Sequence, residues 1–431
     1  MSGALSEITR PFGNKGFGSL WISVGLNAFA NTVGSVALAW LALEYTDSAL
    51  GVGMVIMSRS LPKLIFSLPV GYLSDRVSRK RMLQVNNYLG ALAAFVAVLF
   101  SALGAVDIYV VLALATLVGI FDVIQTTVSY AYVYDLVGRD RSVHGMAMMR
   151  LADRGFGVVA GLSSGVVLAL SGGEGAFVAM GLAYLGSAVV LHAISPRPGA
   201  PCREESDEQA ATSGQSPSLS PGRVVLDMIR SPFVIVFGAV TLSAEVLAYS
   251  TEVLWSSFAR DVFAVGEVGM GTLVSLNSAG GFAGLLALSM LSTRLNPEKA
   301  LFATALVFGA NLFLLAFAPT FALACMIMLF IGAFWSLLDS LLPAVLQRGV
   351  ADTERGAVVG VWNLARGFGP LGQFEIGALA AMLGTAAAQA LHGAAFMLIT
   401  LCLFLAYRAF SVSRDRSEMH ATQLLGQVER P

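Results

Sequence analysis

The chain has 431 residues, of which 56% are hydrophobic and 12% are charged, with a formal net charge of −1. Soluble domains carry about 25% charged residues, so this composition excludes an ordinary soluble enzyme and indicates a membrane protein. The nearly neutral charge gives no reason to expect nucleic acid as a partner. The three cysteines and four histidines form no metal pattern, and no phosphate-binding loop for ATP is present, so we expect no cofactor.

Long apolar runs predict twelve membrane spans, because one crossing needs about 20 apolar residues. The spans of the first half are predicted at 17–43, 49–71, 83–104, 107–136, 145–170 and 175–195. Those of the second half are predicted at 231–259, 267–291, 299–318, 320–347, 357–383 and 386–410. The sequence therefore predicts an all-α membrane protein with two six-helix bundles, within residues 1–195 and 230–410.

Two polar segments flank the second bundle. Residues 196–229 are rich in Pro, Ser, Gly, Glu and Arg, which is typical of a flexible linker in water. Residues 411–431 form a polar tail. With both termini on one side of the membrane, twenty of the 26 Lys and Arg residues fall in segments of that side, and Arg260 alone falls in a segment of the other. Since basic loops stay inside, we expect the linker, the tail and both termini in the cytoplasm, and the chain in a bacterial-type inner membrane.

The two halves repeat each other in short motifs. The pair Gly51 and Gly53 in span 2 matches Gly269 and Gly271 in span 8. The motif Arg-Gly-Phe-Gly occurs at 154–157 in span 5 and at 366–369 in span 11. Two parallel halves related by an axis along the membrane normal are a known transporter architecture, with the substrate site between the halves. The repeat therefore predicts a transport site at the interface of the two bundles.

The loop between spans 2 and 3 is the most charged short stretch of the chain. Residues 75–81 hold one carboxylate and four cations. The stretch resembles the loop 2–3 signature of the major facilitator superfamily, Gly-x-Leu-x-Asp-Arg-x-Gly-Arg-Lys/Arg. Ser78 replaces the inner glycine, and the matching residues are Gly71, Leu73, Asp75, Arg76, Arg79 and Lys80. The resemblance extends over about residues 17–410.

Three passages are similar to a narrower group of that superfamily, the macrolide-efflux and enterobactin-exporter proteins: 39–51, 58–62 and 366–372. That resemblance implies proton-driven export of an amphiphilic organic molecule by alternating access. Two features depart from the antiporter pattern. Span 4 lacks an arginine, and Leu162 stands where the span 5 motif of antiporters has proline. The substrate stays open, as do the alternatives of an uptake symporter, a metal, ion or lipid carrier, and a membrane scaffold or sensor without transport.

The resemblance implies that the charged loop acts as a conformational latch formed by Gly71, Asp75, Arg76, Arg79 and Lys80. Its partner would be the start of span 11, in the outward-facing state. A carboxylate such as Asp75 can accept hydrogen bonds from a helix N-terminus and from arginines. The alternative is that the cations only fix the topology and contact anionic lipid.

Ionisable residues inside spans are costly, which makes them candidates for function. Proton coupling needs a carboxyl group that alternates between a dry and a wet environment. The candidates for it are Asp122, Glu245, Glu252 and Asp339. Each of these acids can instead belong to a structural ion pair.

The first half contributes most of the cations within spans, and the second half most of the acids. This division predicts either an anionic or zwitterionic substrate bound on the basic side, or ion pairs across the halves that act as gates. We expect protons, membrane lipid and a small-molecule substrate as partners of a monomer. Substrate contacts are predicted for Arg59, Lys63, Trp335, Trp362 and Glu375, and gating for Arg150, Asp153, Arg154, Arg366 and Pro370.

Overall fold

A computed structural model of the chain describes residues 12, 15–138, 141–194, 231–291, 296–348, 350 and 355–428. Within these ranges all regular structure is helical. The predicted linker at 196–229 lies outside the described residues. So do Thr293 and Arg294, the counterparts of Asp75 and Arg76 in the second half.

The first half consists of six helices. Four of them are separate: α1 Lys15–Thr46, α2 Ala49–Ser74, α3 Arg79–Ala102 and α4 Ile108–Val137. A single helical run, Ser142–His192, follows and is interrupted at Gly172, whose φ of 60° is left-handed. At 1.5 Å per residue the run is about 77 Å long, more than twice the hydrocarbon thickness, so it crosses twice. We call the part before Gly172 α5 and the part after it α6.

The second half repeats this order with more irregular helices. Its elements are α7 Pro232–Val262, α8 Gly266–Leu291, α9 Pro297–Leu315, α10 Phe321–Arg348, α11 in two pieces, Arg355–Arg366 and Gly369–Leu383, and α12 Thr385–Val428. The backbone of α12 stays helical into the segment that the sequence predicts as a polar tail from Ser411.

Two helices of the second half are broken along their length. α7 contains π-helical turns at Ala244–Ala248 and Phe258–Val262, with a 3-10 segment, Tyr249–Leu254, between them. α11 is interrupted just before Pro370. Proline has no N–H to donate and its ring clashes with the carbonyl four residues earlier, which here belongs to Arg366. Broken helices inside a membrane are tolerated where the freed backbone groups are buried in protein or line a cavity.

Ten helices of the described chain are long and apolar enough to cross a membrane. One of them, His144–His192, contains the two crossings α5 and α6. The two pieces of α11 are individually too short to be counted, although together they follow the predicted span 357–383. The architecture is therefore consistent with twelve crossings.

The two ends of the bundle are named here by the turns that mark them. The Asp47 end carries the turn between α1 and α2, and the Asp75 end carries the turn between α2 and α3. Both Asp47 (φ 48°) and Ala264 (φ 52°) adopt left-handed backbone in the α1–α2 and α7–α8 turns. This matching strain supports the internal repeat read from the sequence.

The halves touch most closely toward the Asp47 end, through glycines. A Cβ at Gly161 of α5 would lie 2.5 Å from the Ser275 nitrogen of α8, and one at Gly271 would lie 2.5 Å from the Gly161 carbonyl oxygen. The equivalent contact joins α2 to α11, where a Cβ at Gly53 would lie 2.7 Å from the Gln373 carbonyl oxygen. Small residues allow such backbone approach in membranes. One glycine of each repeated pair, Gly53 and Gly271, thus lies where the halves meet, whereas Gly51 and Gly269 contact their own halves.

Candidate functional site

A cavity of about 460 Å³ lies between the two halves. Helices α1, α2, α4 and α5 line it from one side and α7, α8, α10 and α11 from the other. Its charged lining residues are Arg59, Lys63, Asp122, Arg150, Asp153, Arg154, Glu252, Asp339 and Arg366. Nine charged groups in an apolar bundle are costly to maintain, which makes this cavity the candidate functional site.

A polar chain within the first half anchors the acid of α4. Asn31 of α1 donates from Nδ2 to Asp122 Oδ1 at 2.7 Å, and its own Oδ1 lies 3.4 Å from Arg59 Nη2 of α2. Asn31 therefore stands between the acid and the cation and contacts both. The arrangement connects α1, α2 and α4 around the cavity. Asp122 and Arg59 both contact Asn31 and make no direct ion pair with each other.

One ion pair spans the cavity from half to half. Arg150 Nη1 of α5 lies 2.6 Å from Asp339 Oδ2 of α10. The two side chains are 36% and 17% exposed, so the pair is partly shielded from water. Charge-assisted bonds of this length are strong, and this one must break or rotate if the halves change their relative position. The pair fits the predicted gating role of Arg150.

Among the described residues, six of the nine charged groups of the lining make no ion pair: Arg59, Lys63, Asp122, Asp153, Arg154 and Glu252. Glu252 of α7 accepts only a long contact of 3.4 Å from the Gln373 amide of α11. Arg59, Lys63 and Arg154 nevertheless act electrostatically on Glu252. The cavity thus presents cations from one half to an unpaired acid from the other.

Aromatic rings close one wall of the cavity. Trp335 of α10 lies 4.6 Å from Tyr249 and 6.2 Å from Trp255, measured between ring centroids, and 6.1 Å from Phe308. Trp335 and Trp255 both line the cavity. Rings in this arrangement offer an apolar surface on which a flat ligand can stack.

Apart from the charged loop, four predicted site residues lie outside the cavity lining: Glu245, Trp362, Glu375 and Pro370. Glu245 is bound by Arg366, whose Nε lies 3.1 Å from Glu245 Oε1, within the second half. Trp362 lies under the same guanidinium, 4.7 Å from ring centroid to Cζ. Glu375 faces His392 on α12, because its position on α11 points away from the first half. The predicted substrate contacts of Trp362 and Glu375 are therefore not seen in this conformation.

The charged loop at the Asp75 end binds its own half. Arg79 Nη1 lies 2.6 Å from Asp135 of α4, and Arg79 Nη2 lies 3.1 Å from Asp75. Lys80 donates to the Ile194 carbonyl after α6, and Arg76 lies over Tyr72 at 4.1 Å. Asp75 itself is 72% exposed and makes no hydrogen bond or ion pair with the described part of α11. A Cβ at Gly71 would meet nothing within 4 Å, so this glycine is not required by packing here.

The opposite end is closed by Arg260 of α7. Its Nη2 lies 2.7 Å from Asp47 Oδ1, and its Nη1 donates to the Leu43 carbonyl at 3.1 Å. Asp261 Oδ1 holds the Nε at 2.6 Å. Both Leu43 and Asp47 belong to the first half, so Arg260 ties the second half to the end of α1.

Sequence reasoning missed the uncharged polar residues that organise the site. Asn27 and Asn31 share one face of α1, as their spacing of four residues implies, and both line the cavity with Gln125 and Asn277. A search for amides within predicted spans would have found them. Among the described residues no group of three or more His, Cys, Asp or Glu side chains is suited to a metal ion.

The chain is similar in sequence to bacterial transporters. The chain is 26% identical to the multidrug efflux pump Tap of Mycolicibacterium fortuitum over 367 residues, which cover 82% of this chain and 86% of that protein. It is 22% identical to the staphyloferrin A transporter of Staphylococcus aureus over 391 residues, which cover 90% of this chain and 95% of that protein.

Solved structures with the same fold are also transporters. The D-xylose–proton symporter superposes with a TM-score of 0.69 at 13% identity, covering 90% of this chain and 96% of that one. An inward-facing, unoccupied bacterial homologue of the human lysosomal transporter Spinster superposes with a TM-score of 0.66 at 15% identity. The match covers 92% of this chain and 97% of that one. At these identities the likeness concerns the fold alone.

The family profile is decisive. The profile of the Major Facilitator Superfamily matches residues 20–372, most of the chain and all but the last part of the second bundle. With the two pseudo-symmetric bundles and the cavity between them, this match means that the chain belongs to the major facilitator superfamily of membrane transporters.

Proposed function

We propose that this transporter exports a small amphiphilic organic compound in exchange for protons. The observation that carries the proposal is the cavity between the halves, which combines an aromatic wall with four cations of the first half that face Glu252 and Asp339 of the second. The names of the two relatives, a multidrug efflux pump and a siderophore transporter, support an organic substrate of this kind.

The charge distribution supports a cytoplasmic position for the Asp75 end. Arg76, Arg79, Lys80 and Arg81 all lie there, and basic loops stay inside. The Asp47 end, closed by Arg260 and by the glycine contacts, then faces outward. In this state the cavity is shut against the exterior, which suits loading from the cytoplasm or the inner leaflet.

Export then requires the two ends to exchange their roles. The glycine contacts and the Arg260–Asp47 pair must part, while the Asp75 end closes. We propose that Asp75, exposed here, reaches the first turn of α11 in that second state and accepts hydrogen bonds from it. The Arg150–Asp339 pair connects the halves across the cavity, so its rearrangement belongs to the same transition.

Proton coupling is proposed at the acids of the cavity, and Glu252 is the strongest candidate among them. It lines the cavity, has an amide partner rather than a cation, and stands opposite Arg59 and Lys63. When the cavity is wet, water and these cations favour the carboxylate; when the cavity closes, burial favours the neutral acid. Alternating access thereby converts a change of conformation into release and uptake of a proton.

Proteoliposomes with an acidic lumen test the proposal. A gradient of one pH unit is a tenfold ratio of proton concentrations, so one-for-one exchange predicts up to about tenfold accumulation of an amphiphilic dye in the lumen. We would use ethidium and carboxyfluorescein to distinguish a cationic from an anionic substrate. Accumulation of neither dye above protein-free liposomes, with a gradient confirmed to be intact, would contradict proton-driven exchange of such compounds.

The cavity itself is tested by Trp335→Ala. Loss of one ring contact is expected to weaken dye binding by about 0.5 to 1.5 kcal/mol, which is roughly two- to tenfold. Phe317→Ala is the control, since Phe317 is 63% exposed and lies outside the cavity lining. Equal dye affinities of the two variants would mean that the dye does not bind at the aromatic wall.

A further inference from the structure

His392 and Glu375 make a contact that the central cavity does not use. His392 of α12 is 2% exposed, and its Nε2 lies 3.0 Å from Glu375 Oε2 of α11. Its Nδ1 lies 3.0 Å from the Leu247 carbonyl oxygen of α7. Neither residue belongs to the cavity lining.

Counting hydrogens on this contact points to a place for one more proton. A carbonyl oxygen only accepts, so the Nδ1 that faces Leu247 carries a hydrogen. A neutral ring of that tautomer has a lone pair at Nε2, 3.0 Å from a carboxyl oxygen of Glu375, and Nε2 makes no hydrogen bond in this arrangement. One further proton, on Nε2 or on the carboxyl group, would give this buried nitrogen its partner.

We infer that His392 and Glu375 together form a proton-binding site, separate from the cavity, whose proton takes part in coupled transport. This inference rests on the proposed proton-coupled export. It differs from the coupling acids predicted from the sequence, because neither residue lies among the charged groups of the cavity.

No other charge competes for this proton among the described residues packed around it. α9 presents no charged side chain between Lys299 and Leu315. On α7, Glu245 is bound by Arg366 and Arg260 is bound by Asp47 and Asp261. Glu252 of α7 faces the cavity, and the nearest polar side chain on α12 itself, Gln389, donates to the Leu312 carbonyl.

The position of the pair suits access from the Asp47 end. Glu375 and His392 stand nine residues before and eight residues after Gly384, the turn between α11 and α12. At 1.5 Å per residue, both lie about 12 Å below that turn. The Glu375 side chain is 48% exposed, so protein does not enclose the whole carboxyl group. If the Asp47 end faces outward, protons would reach the pair from the side with the higher proton concentration.

The pair also touches elements that move in the proposed cycle. Glu375 lies on the second piece of α11, which meets α2 of the other half at Gly53 and Gly377. Leu247 lies in the π-helical turn Ala244–Ala248 of α7. Removing the proton would leave a carboxylate against a lone pair and push α11 from α12. A change in protonation is thereby transmitted to the contact between the halves.

Nuclear magnetic resonance on the full chain in nanodiscs, with isotope-labelled histidine, tests the site directly. We expect the His392 ring in the wild type to change its protonation together with Glu375, in a step that Glu375→Gln removes or displaces. His192→Gln is the matched control, because His192 contacts Tyr88 at the other end and should leave the His392 signals unchanged. Identical His392 titration in the wild type and in Glu375→Gln overturns the shared proton.

Transport in acid-lumen proteoliposomes tests the role of the proton. With a gradient of one pH unit, the wild type is expected to accumulate ethidium up to about tenfold, whereas His392→Gln and Glu375→Gln should stay near the level without a gradient. Retained gradient-driven accumulation in both variants overturns the coupling role while the proposed export stands. If resonance detects the shared proton but the wild type moves no ethidium, coupling to that dye is overturned and the proton site stays supported. Failure of the proposed export can thus be told apart from failure of the proton site.

Discussion

Gly161→Ala should open the Asp47 end of the transporter. A Cβ at this position would lie 2.5 Å from the Ser275 nitrogen and 2.8 Å from its Cα, whereas ordinary contacts begin near 3.4 Å. Both partner atoms are backbone, so no side chain can rotate away, and α5 and α8 must part by roughly 1 Å. Overpacking of this kind costs about 1 to 3 kcal/mol.

That cost falls on the state in which α5 and α8 are in contact. A free-energy difference of this size changes the ratio of the open to the closed state of the Asp47 end by about 5- to 150-fold. If the state open at the Asp47 end is populated at about 1% in the wild type, it should rise to between about 5% and 60%. The substitution thus converts a packing clash into a measurable change of population.

Spin labels at Glu44 of α1 and Ala387 of α12 would measure the opening, after Cys202, Cys325 and Cys402 are replaced by serine. Both label sites are exposed at the Asp47 end on opposite halves. Gly155→Ala is the matched control on the same helix, because a Cβ there would meet only Phe282 at an ordinary 3.8 Å. A distance distribution for Gly161→Ala that coincides with those of Gly155→Ala and the wild type would refute the reasoning.

Three further predictions concern charged contacts; the same distance measurement or labelling from both sides checks the first two, and the transport rate in proteoliposomes checks the third. Arg260→Gln removes the ion pair with Asp47 and should populate the state open at the Asp47 end several-fold more than the wild type does. An unchanged distance distribution would mean that the pair does not stabilise the closed state. Asp75→Asn should lower the population of the state closed at the Asp75 end, whereas Thr293→Ala should not. Equal populations in the wild type and both variants would exclude a latch at Asp75. Asp339→Asn leaves Arg150 without its carboxylate and should slow transport at least about tenfold, since a hydrogen bond between charged groups contributes about 1.5 to 3 kcal/mol; a normal rate would exclude a gating role.

The sequence predicted the architecture well because the membrane imposes it. Apolar runs and the distribution of cations depend on the bilayer and not on tertiary detail, so the spans and the two halves followed from them. The glycines of α2 and α8 indicated the internal repeat, and the structure adds that Gly53 and Gly271 lie at the contact between the halves, where small residues permit close approach.

Tertiary contacts of single side chains were harder to predict. Nothing in residues 244–254 of α7, which contain neither Gly nor Pro, predicts the π-helical and 3-10 turns found there. Glu375 was expected in the cavity because a charge inside a span suggests function, but helix rotation places it beside His392. Their similar distances from Gly384, nine and eight residues, would have revealed the pair, since helices joined by a tight turn bring such positions to nearly the same depth. Arg79 and Lys80 were read as latch residues, and their ties to Asp135 and the end of α6 depend on packing that the motif does not encode.

Movement of protons in response to an ethidium gradient tests the central claim most directly. Proteoliposomes loaded with a pH-sensitive dye would receive ethidium outside, with no initial pH gradient and with the membrane potential clamped. Exchange of protons for the compound predicts that the lumen becomes more alkaline as ethidium enters, in the wild type and not in protein-free liposomes. Entry of ethidium through the protein without any change of lumenal pH would contradict proton-coupled export.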